Sequence, residues 1–338
     1  MTYIWTDAQR DTYGWSPFWR WLMSLFNRWA PPRWVNPHCD VGQERALDQT
    51  RALESVPITW PEEMADEYLS FGPPTQVPYL GSVSGQPFQA ANPDDLRTLR
   101  VWNEYGGTLI ERNVDTGIRP PVKARGGYTV QVPAPASGAW AVEGYPNGDN
   151  NGDRHLYLIE PDGTAHEMIW FNQRDLSCAA YARYSATGEI LHRLDPGGAV
   201  VKGNLPFSRI ALGRGDAPHR MGLVFKELGT VRDDTVSDGI VRSGAGSDGQ
   251  RADFTYPRYG QWFRLSSEAY QRLSADADFE QQWVLDAARE YGFVPYDRGG
   301  YGWAPKVGMI AGADWAGSTV GDLRIRTRDL ERVTVGAT

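Results

Sequence analysis

The chain has 338 residues, a net charge of −8 and a pI near 5.2, with 41% hydrophobic and 22% charged residues. These values describe a globular protein long enough for one extensive β domain or two ordinary ones. They exclude a nucleic-acid binder, which would carry a basic stripe. Aromatic usage is high, with 14 Trp and 16 Tyr; such excess suits the core of a large sandwich, an interface or a sugar-stacking surface. The two cysteines, Cys39 and Cys178, are far apart; two unpaired thiols are the preferred reading and a disulfide between them the alternative. The opening MTYIWTDAQRDTYGW holds acids and no apolar h-region, so no secretory leader is expected. No window reaches the roughly 20 apolar residues of a membrane span.

The first predicted element is a helix over Pro17–Trp29. Phe18, Trp21, Leu22, Leu25, Phe26 and Trp29 share one face at helical spacing. Ser16 serves as N-cap and Pro17 as first helical residue, while Pro31-Pro32 stop the helix. Such a Trp-rich amphipathic helix can dock on a neighbouring subunit, pack on its own domain, or lie on a membrane surface. Docking is the preferred reading and the membrane the least favoured. Residues 31–95 hold ten prolines, with short helices expected at Val41–Glu54 and Pro61–Phe71. The rest reads as extended chain with little core of its own, which stays ordered only by lying along something else. Residues 1–94 are therefore expected to form an extended arm and residues 95–338 a β domain.

After a short helix expected at Pro93–Tyr105, strands are predicted at Thr108–Arg112, Tyr128–Val132 and Ala139–Glu143. Next comes a hairpin: the runs His155–Glu160 and His166–Phe171 flank Pro161-Asp162-Gly163-Thr164, whose Asp-Gly tolerates the positive φ of a tight turn. Alternation puts Leu156 and Leu158 on one face and His155, Tyr157 and Ile159 on the other, as in a strand covered on both sides. Further strands are predicted at Ala179–Tyr184, Glu189–Leu194, Arg209–Leu212, His219–Leu228 and Gln261–Leu265, with Gly-, Asp- and Pro-rich separators. One helix near the C-terminus, capped by Asp276 or Asp278 and ended by Gly292, places Phe279, Trp283, Ala287 and Tyr291 along one stripe. Gly321–Val333 is a short strand or helix. Many short punctuated strands indicate an antiparallel β-sandwich of jelly-roll type.

The succession GDRHLYLIEPDG, HEMIW, NLPFSRIAL and APHRMGLVF, followed by GQWFRLSSEAY and VLDAAREYGFVPYDRGGYGWAP, resembles a group of uncharacterised actinobacterial proteins with a jelly-roll domain. The resemblance covers residues 130–330, roughly. Secreted members of the group begin with a signal peptide; this chain carries the Trp-rich arm instead. That departure is similar to minor tail proteins of phages infecting actinobacteria. The resemblance implies a virion component whose partners are other tail subunits, assembled as a homo-oligomer, and a cell-surface glycan.

The loop between Tyr145 and the hairpin, Pro146–Asp153, offers Asp149, Asn151 and Asp153 as oxygen ligands for a structural calcium, though without the glutamate of an EF-hand. An Asx-rich turn satisfying its own backbone explains the same residues and is preferred. His155, His166, His192 and His219 show no zinc spacing, and no nucleophile elbow occurs. A glycosidase needs two carboxylates about 5 to 9 Å apart; Glu143, Asp153, Glu160 and Glu167 could converge only through the fold. A lyase-type site would need a base such as His155 or Tyr157 near a cation such as Arg154. Glycan binding asks for less, since Trp140, Tyr145, Asp153, Tyr157 and Trp170 supply stacking faces and polar groups. The expectation is a structural tail-tip protein contacting neighbours or host glycan, with no catalytic residues assigned. A carbohydrate-active enzyme acting on the bacterial envelope is the alternative.

Overall fold

A computed structural model describes residues 53–71, 86–102, 108–113, 117–123, 127–140, 142, 154–186, 190–195, 210–214, 218–229, 250–251, 255–259, 261–299, 305–311 and 317–335. The helix expected at Pro17–Trp29, with Phe18, Trp21, Leu22, Leu25, Phe26 and Trp29, lies outside the described residues.

In chain order the elements are β1 (Leu53–Val56), α1 (Glu62–Ala65), β2 (Gln86–Val101), β3 (Thr108–Asn113), β4 (Gly117–Lys123), β5 (Tyr128–Pro135), β6 (Leu156–Ile159), β7 (Ala165–Ile169), β8 (Ser177–Cys178), β9 (Ala180–Tyr184), β10 (Ile190–Asp195) and β11 (Met221–Phe225). They continue with β12 (Phe263–Leu265), α2 (Ser267–Ser274), α3 (Phe279–Glu290), β13 (Phe293–Arg298), β14 (Lys306–Val307), β15 (Ile310–Ala311) and β16 (Leu330–Val335). One sheet runs β1-β16-β12-β13-β11-β14, and the other β15-β2-β6-β7-β9-β10-β3-β4 with β5 and β8 also paired to β2. The fold is mainly β, as expected, but both sheets are mixed rather than purely antiparallel. β11 runs parallel to β13, and β2 runs parallel to β6, β8 and β15. Parallel pairs join segments far apart in sequence, so no local signal announces them.

Alternation along the strands separates three cores. Met221, Leu223, Phe225, Phe263, Leu265, Phe293 and Leu330 face the helices. Trp262, Val294, Tyr296 and Val333 on the other face of the same sheet meet Phe88, Tyr157, Ile159, Ala182 and Tyr184 of the second sheet. Leu156, Leu158, Met168 and Tyr181, on the far face of the second sheet, pack with Leu99, Val101, Val130 and Val132 of β2 and β5. The β6–β7 hairpin therefore has core on both faces, as its two apolar rows require.

That hairpin forms as predicted. Register pairs Tyr157 with Glu167 and Ile159 with Ala165. Gly163 sits at φ 87°, Glu160 N donates to Thr164 O at 2.8 Å, and Asp162 Oδ1 accepts from Thr164 N at 2.8 Å. The C-terminal helix also forms, as α3, with Asp278 capping Gln281 N at 2.9 Å and Gly292 at φ 72° past its end. Its buried face is Val284, Leu285, Ala287 and Ala288, while Phe279 stays 64% exposed. A second helix, α2, was not anticipated; Ser266 caps it through Ala269 N. Replacing Asp278 by Ala is expected to cost about 1 kcal/mol. Chemical denaturation should show that loss, and Asp278→Asn, which keeps an acceptor, should show little of it.

Several expectations are corrected. The helix expected at Pro93–Tyr105 is strand through Val101, because Leu99 and Val101 alternate with exposed Thr98 and Arg100 and residues 96–101 pair with β5. Pro93 is accommodated where the register shifts between Asn92 and Leu96, so its missing N–H removes no ladder bond. The boundary expected at 94/95 accordingly falls inside β2. Upstream, β1 pairs with β16, and Trp60, Met64, Leu69 and Phe71 enter the first core, so residues 53–71 are part of the β body rather than of an arm. Only Glu62–Ala65 of Pro61–Phe71 is helical. The described residues of Ala139–Glu143 and of Arg209–Leu212 are turn, loop or isolated bridge rather than strand.

Candidate functional site

The residues with the most chemistry converge between the two sheets. Period two sends Tyr157 of β6 and Glu167 of β7 to the same face, directly opposite one another, and His155 lies on that face just before β6. Tyr184 comes from β9 on the same sheet. Tyr296 comes from β13 on the facing sheet and shares a core with both. Glu167 is 1% exposed, and its two oxygens are claimed by three phenols. Tyr184 Oη donates to Oε2 at 2.7 Å, Tyr157 Oη to Oε1 at 3.2 Å, and Tyr296 Oη to Oε1 at 3.5 Å. The two hydroxyls of Tyr157 and Tyr296 are 3.1 Å apart, and His155 Nδ1 is 2.8 Å from Tyr157 Oη. With the Tyr157 proton given to Glu167, the Tyr157 oxygen can accept from His155 Nδ1–H.

Burial dominates the electrostatics. It pushes the Glu167 carboxyl up from 4.5 to about 7, against the opposing pull of the Tyr184 hydrogen bond and of His155. The group therefore changes charge near neutrality, in the range where a carboxylic acid can both give and take a proton.

A second polar chain lies on the other face of the same strands. His166 Nε2 meets Glu160 Oε1 at 2.8 Å, His166 Nδ1 meets Tyr181 Oη at 3.0 Å, and the Tyr181 ring stands edge-on to His192. Burial lowers the pKa of His166 despite the neighbouring Glu160, and raises that of the Tyr181 phenol. Glu160 and Glu167 thus serve opposite faces and do not form a carboxylate pair. Cys178 is a buried thiol whose pKa burial raises.

The proposed glycan-stacking set is not assembled as expected. Tyr157 is 1% exposed and belongs to the inter-sheet core, because the facing sheet covers the row it occupies. Trp140 is half-buried and packs on Phe171, with ring centroids 5.1 Å apart. Trp170 is half-buried at φ 55°, a left-handed conformation that a side-chain-bearing residue rarely adopts. This resets the alternation, so that Phe171, not Trp170, follows Met168 into the third core. Arg154 across the hairpin is also left-handed at φ 47°, its carbonyl accepting from Phe171 N at 3.1 Å, and Leu176 follows at φ 46°. Each such residue costs about 1 kcal/mol or more, which the surroundings must offset. Tyr145, Asp153 and the calcium candidates Asp149 and Asn151 lie outside the described residues. Among the described residues no group of three or more His, Cys, Asp and Glu is placed to hold a metal ion. Among them, too, no helix is long and apolar enough to cross a membrane.

Sequence reasoning put His155 and Tyr157 on one face of their strand and left Glu167 to converge only through the fold; the hairpin register brings it opposite Tyr157. Sequence reasoning missed Tyr184 and Tyr296, whose arrival depends on strand order and sheet stacking. Comparison with protein-family models, with curated proteins and with solved structures finds no match for the chain.

Proposed function

We propose that the chain is a structural virion component, a minor tail or tail-tip protein of a phage infecting actinobacteria. In this reading its jelly-roll-like β body contacts neighbouring tail subunits or host cell-surface glycan. One observation carries the non-enzymatic part. The best acid–base groups of the described chain, His155, Tyr157, Glu167, Tyr184 and Tyr296, are all less than a tenth exposed and bonded to one another between the sheets. Groups closed into a core network hold the two layers in one register and leave recognition to the exterior. The order of the motifs from GDRHLYLIEPDG to GYGWAP supports the actinobacterial jelly-roll resemblance, and the Trp-rich segment before them supports the phage assignment. The test is to purify virions from a host producing this chain and probe them with antibodies raised against it. Decoration at the tail tip is expected; a chain found only in the unassembled fraction would sink the reading.

A second reading, a carbohydrate-active enzyme acting on envelope polysaccharide, is favoured by the Glu167 carboxyl, pushed up to about 7 beside the Tyr157–His155 pair. In that role Glu167 would exchange a proton through Tyr157, with His155 steadying the phenol. Incubating the full chain with actinobacterial envelope polysaccharide separates the two. Retention without release of new reducing or unsaturated ends is expected of the structural protein. Release that Glu167→Gln abolishes while the fold persists would establish the enzyme.

A further inference from the structure

The outer face of the β2–β5 layer carries groups that neither core packing nor the inter-sheet network uses. Alternation turns Leu99, Val101, Val130 and Val132 inward and leaves Thr98, Arg100, Thr129 and Gln131 exposed, with Trp102 half-buried at the end of the row. Gln131 Nε2 donates to Thr98 Oγ1 at 3.0 Å across the strands. The Arg100 guanidinium lies 5.2 Å from the centroid of the Trp102 ring and donates to Asp175 Oδ2 at 3.3 Å.

Asp175 is held there by an unusual turn. Its Oδ1 accepts from Ser177 Oγ at 2.8 Å, and the turn is closed by Asn172 N to Ser177 O at 2.7 Å and Ser177 N to Asn172 O at 3.1 Å. Leu176, left-handed at φ 46°, accepts from Arg100 N at 2.9 Å, so the strained residue ties the turn to the strand beside Asp175. The ion pair that results is 50% and 45% exposed, and a pair so wet contributes little to stability. The turn is anchored by the Leu176 side chain on the third core and by pairing of Ser177 and Cys178 with β2, which fixes Asp175 beside Arg100 on the exposed face.

We infer that this face, centred on Trp102 and the Arg100–Asp175 pair, binds a neutral polysaccharide of the bacterial envelope. The inference rests on the glycan-contacting reading above and gives that contact a place. The ring of Trp102 offers apolar area to the C–H face of a sugar. The fixed guanidinium donates to one hydroxyl while the carboxylate accepts from its neighbour, and Gln131 and Thr98 extend the polar row. The ligand is neutral because the Arg100 charge of this face is compensated by Asp175. An anionic polymer would find no uncompensated cation among these groups.

The test measures retention of the full chain in affinity gels containing soluble galactan or mannan, with polygalacturonate as the acidic counterpart. The wild type should be retarded by a neutral polymer. Trp102→Ala and Arg100→Ala should each weaken retardation about tenfold, the scale of a central interface Trp or Arg, and Trp102→Phe should restore part of it. Should Trp102→Ala fail to fold, Asp175→Asn and Thr98→Lys probe the same face through exposed side chains. Wild-type retardation that none of these variants changes would overturn this platform and leave the glycan reading standing. Retardation by polygalacturonate alone would overturn the neutral ligand. No retardation by any polymer, together with no binding to whole actinobacterial envelopes, would overturn the glycan reading itself.

Discussion

Truncating Trp262 to Ala is expected to remove about 4 kcal/mol of folding stability, the usual range for a buried Trp. Trp262 is 1% exposed and stands between the two sheets, in the core that holds Val294, Tyr296 and Val333 on its own side and Tyr157, Ile159 and Tyr184 on the other. The indole is tied down at several points. Nε1 donates to Tyr291 O at 2.8 Å, the residue's carbonyl accepts from Val333 N at 2.8 Å, and the Arg220 guanidinium lies 3.8 Å from the ring centroid. Alanine leaves a cavity, takes the donor from a buried carbonyl, and strips the aromatic face from an arginine that is 3% exposed. Trp262→Phe refills most of the space without the N–H, so it should retain about half of the loss or less. Urea denaturation checks both; a loss below about 1 kcal/mol for the alanine variant would mean that the sheets do not close over this residue.

The second large effect is a pH dependence carried by Glu167. Its carboxyl titrates at about 7 in the folded chain and near 4.5 when exposed, so between these values the native state holds a proton that the unfolded state has released. Stability then falls as pH rises. The contribution is fully present below pH 4.5 and is lost as pH rises through about 7, amounting to about 3 kcal/mol over that window. Glu167→Gln imitates the protonated acid and cannot ionise. It should be as stable as the wild type near pH 5 and more stable at pH 8, with the downward limb gone. His166 acts in the opposite sense. Burial lowers its pKa below 6.5, so its contribution is lost as pH falls beneath that value. Because wild type and variant share His166, the difference between their stability–pH curves isolates Glu167. Parallel curves from pH 5 to pH 8 would show that the carboxyl is not desolvated by the facing sheet.

The two proteins that the Glu167 measurement distinguishes also differ in function. A carboxyl whose charge only weakens the joint between sheets belongs to a scaffold. A carboxyl whose substitution stabilises the fold and also abolishes product release belongs to an active site that trades stability for chemistry.

The sequence by itself determined what is local. The Pro161–Thr164 turn, the two-faced rows of β6 and β7, and α3 with Asp278 at its start and Gly292 at its end all follow from nearest-neighbour hydrogen bonding and periodicity. The placement of His155 and Tyr157 on one face followed from the same period-two rule. Tertiary structure decided the rest. Parallel pairing of β2 with β6 and of β11 with β13 joins distant segments, and Pro93 is tolerated only because β5 supplies a register shift opposite it. Leu53–Val56 becomes an ordered strand because β16, nearly three hundred residues later, offers it an edge. Tyr157 reads equally well as a surface ring or a core ring until the second sheet covers it and brings Tyr296 to within 3.1 Å of its hydroxyl. Side-chain alternation assigns residues to faces; only the stacking of sheets assigns those faces to water or to core, because burial depends on the area removed by partners from elsewhere in the chain.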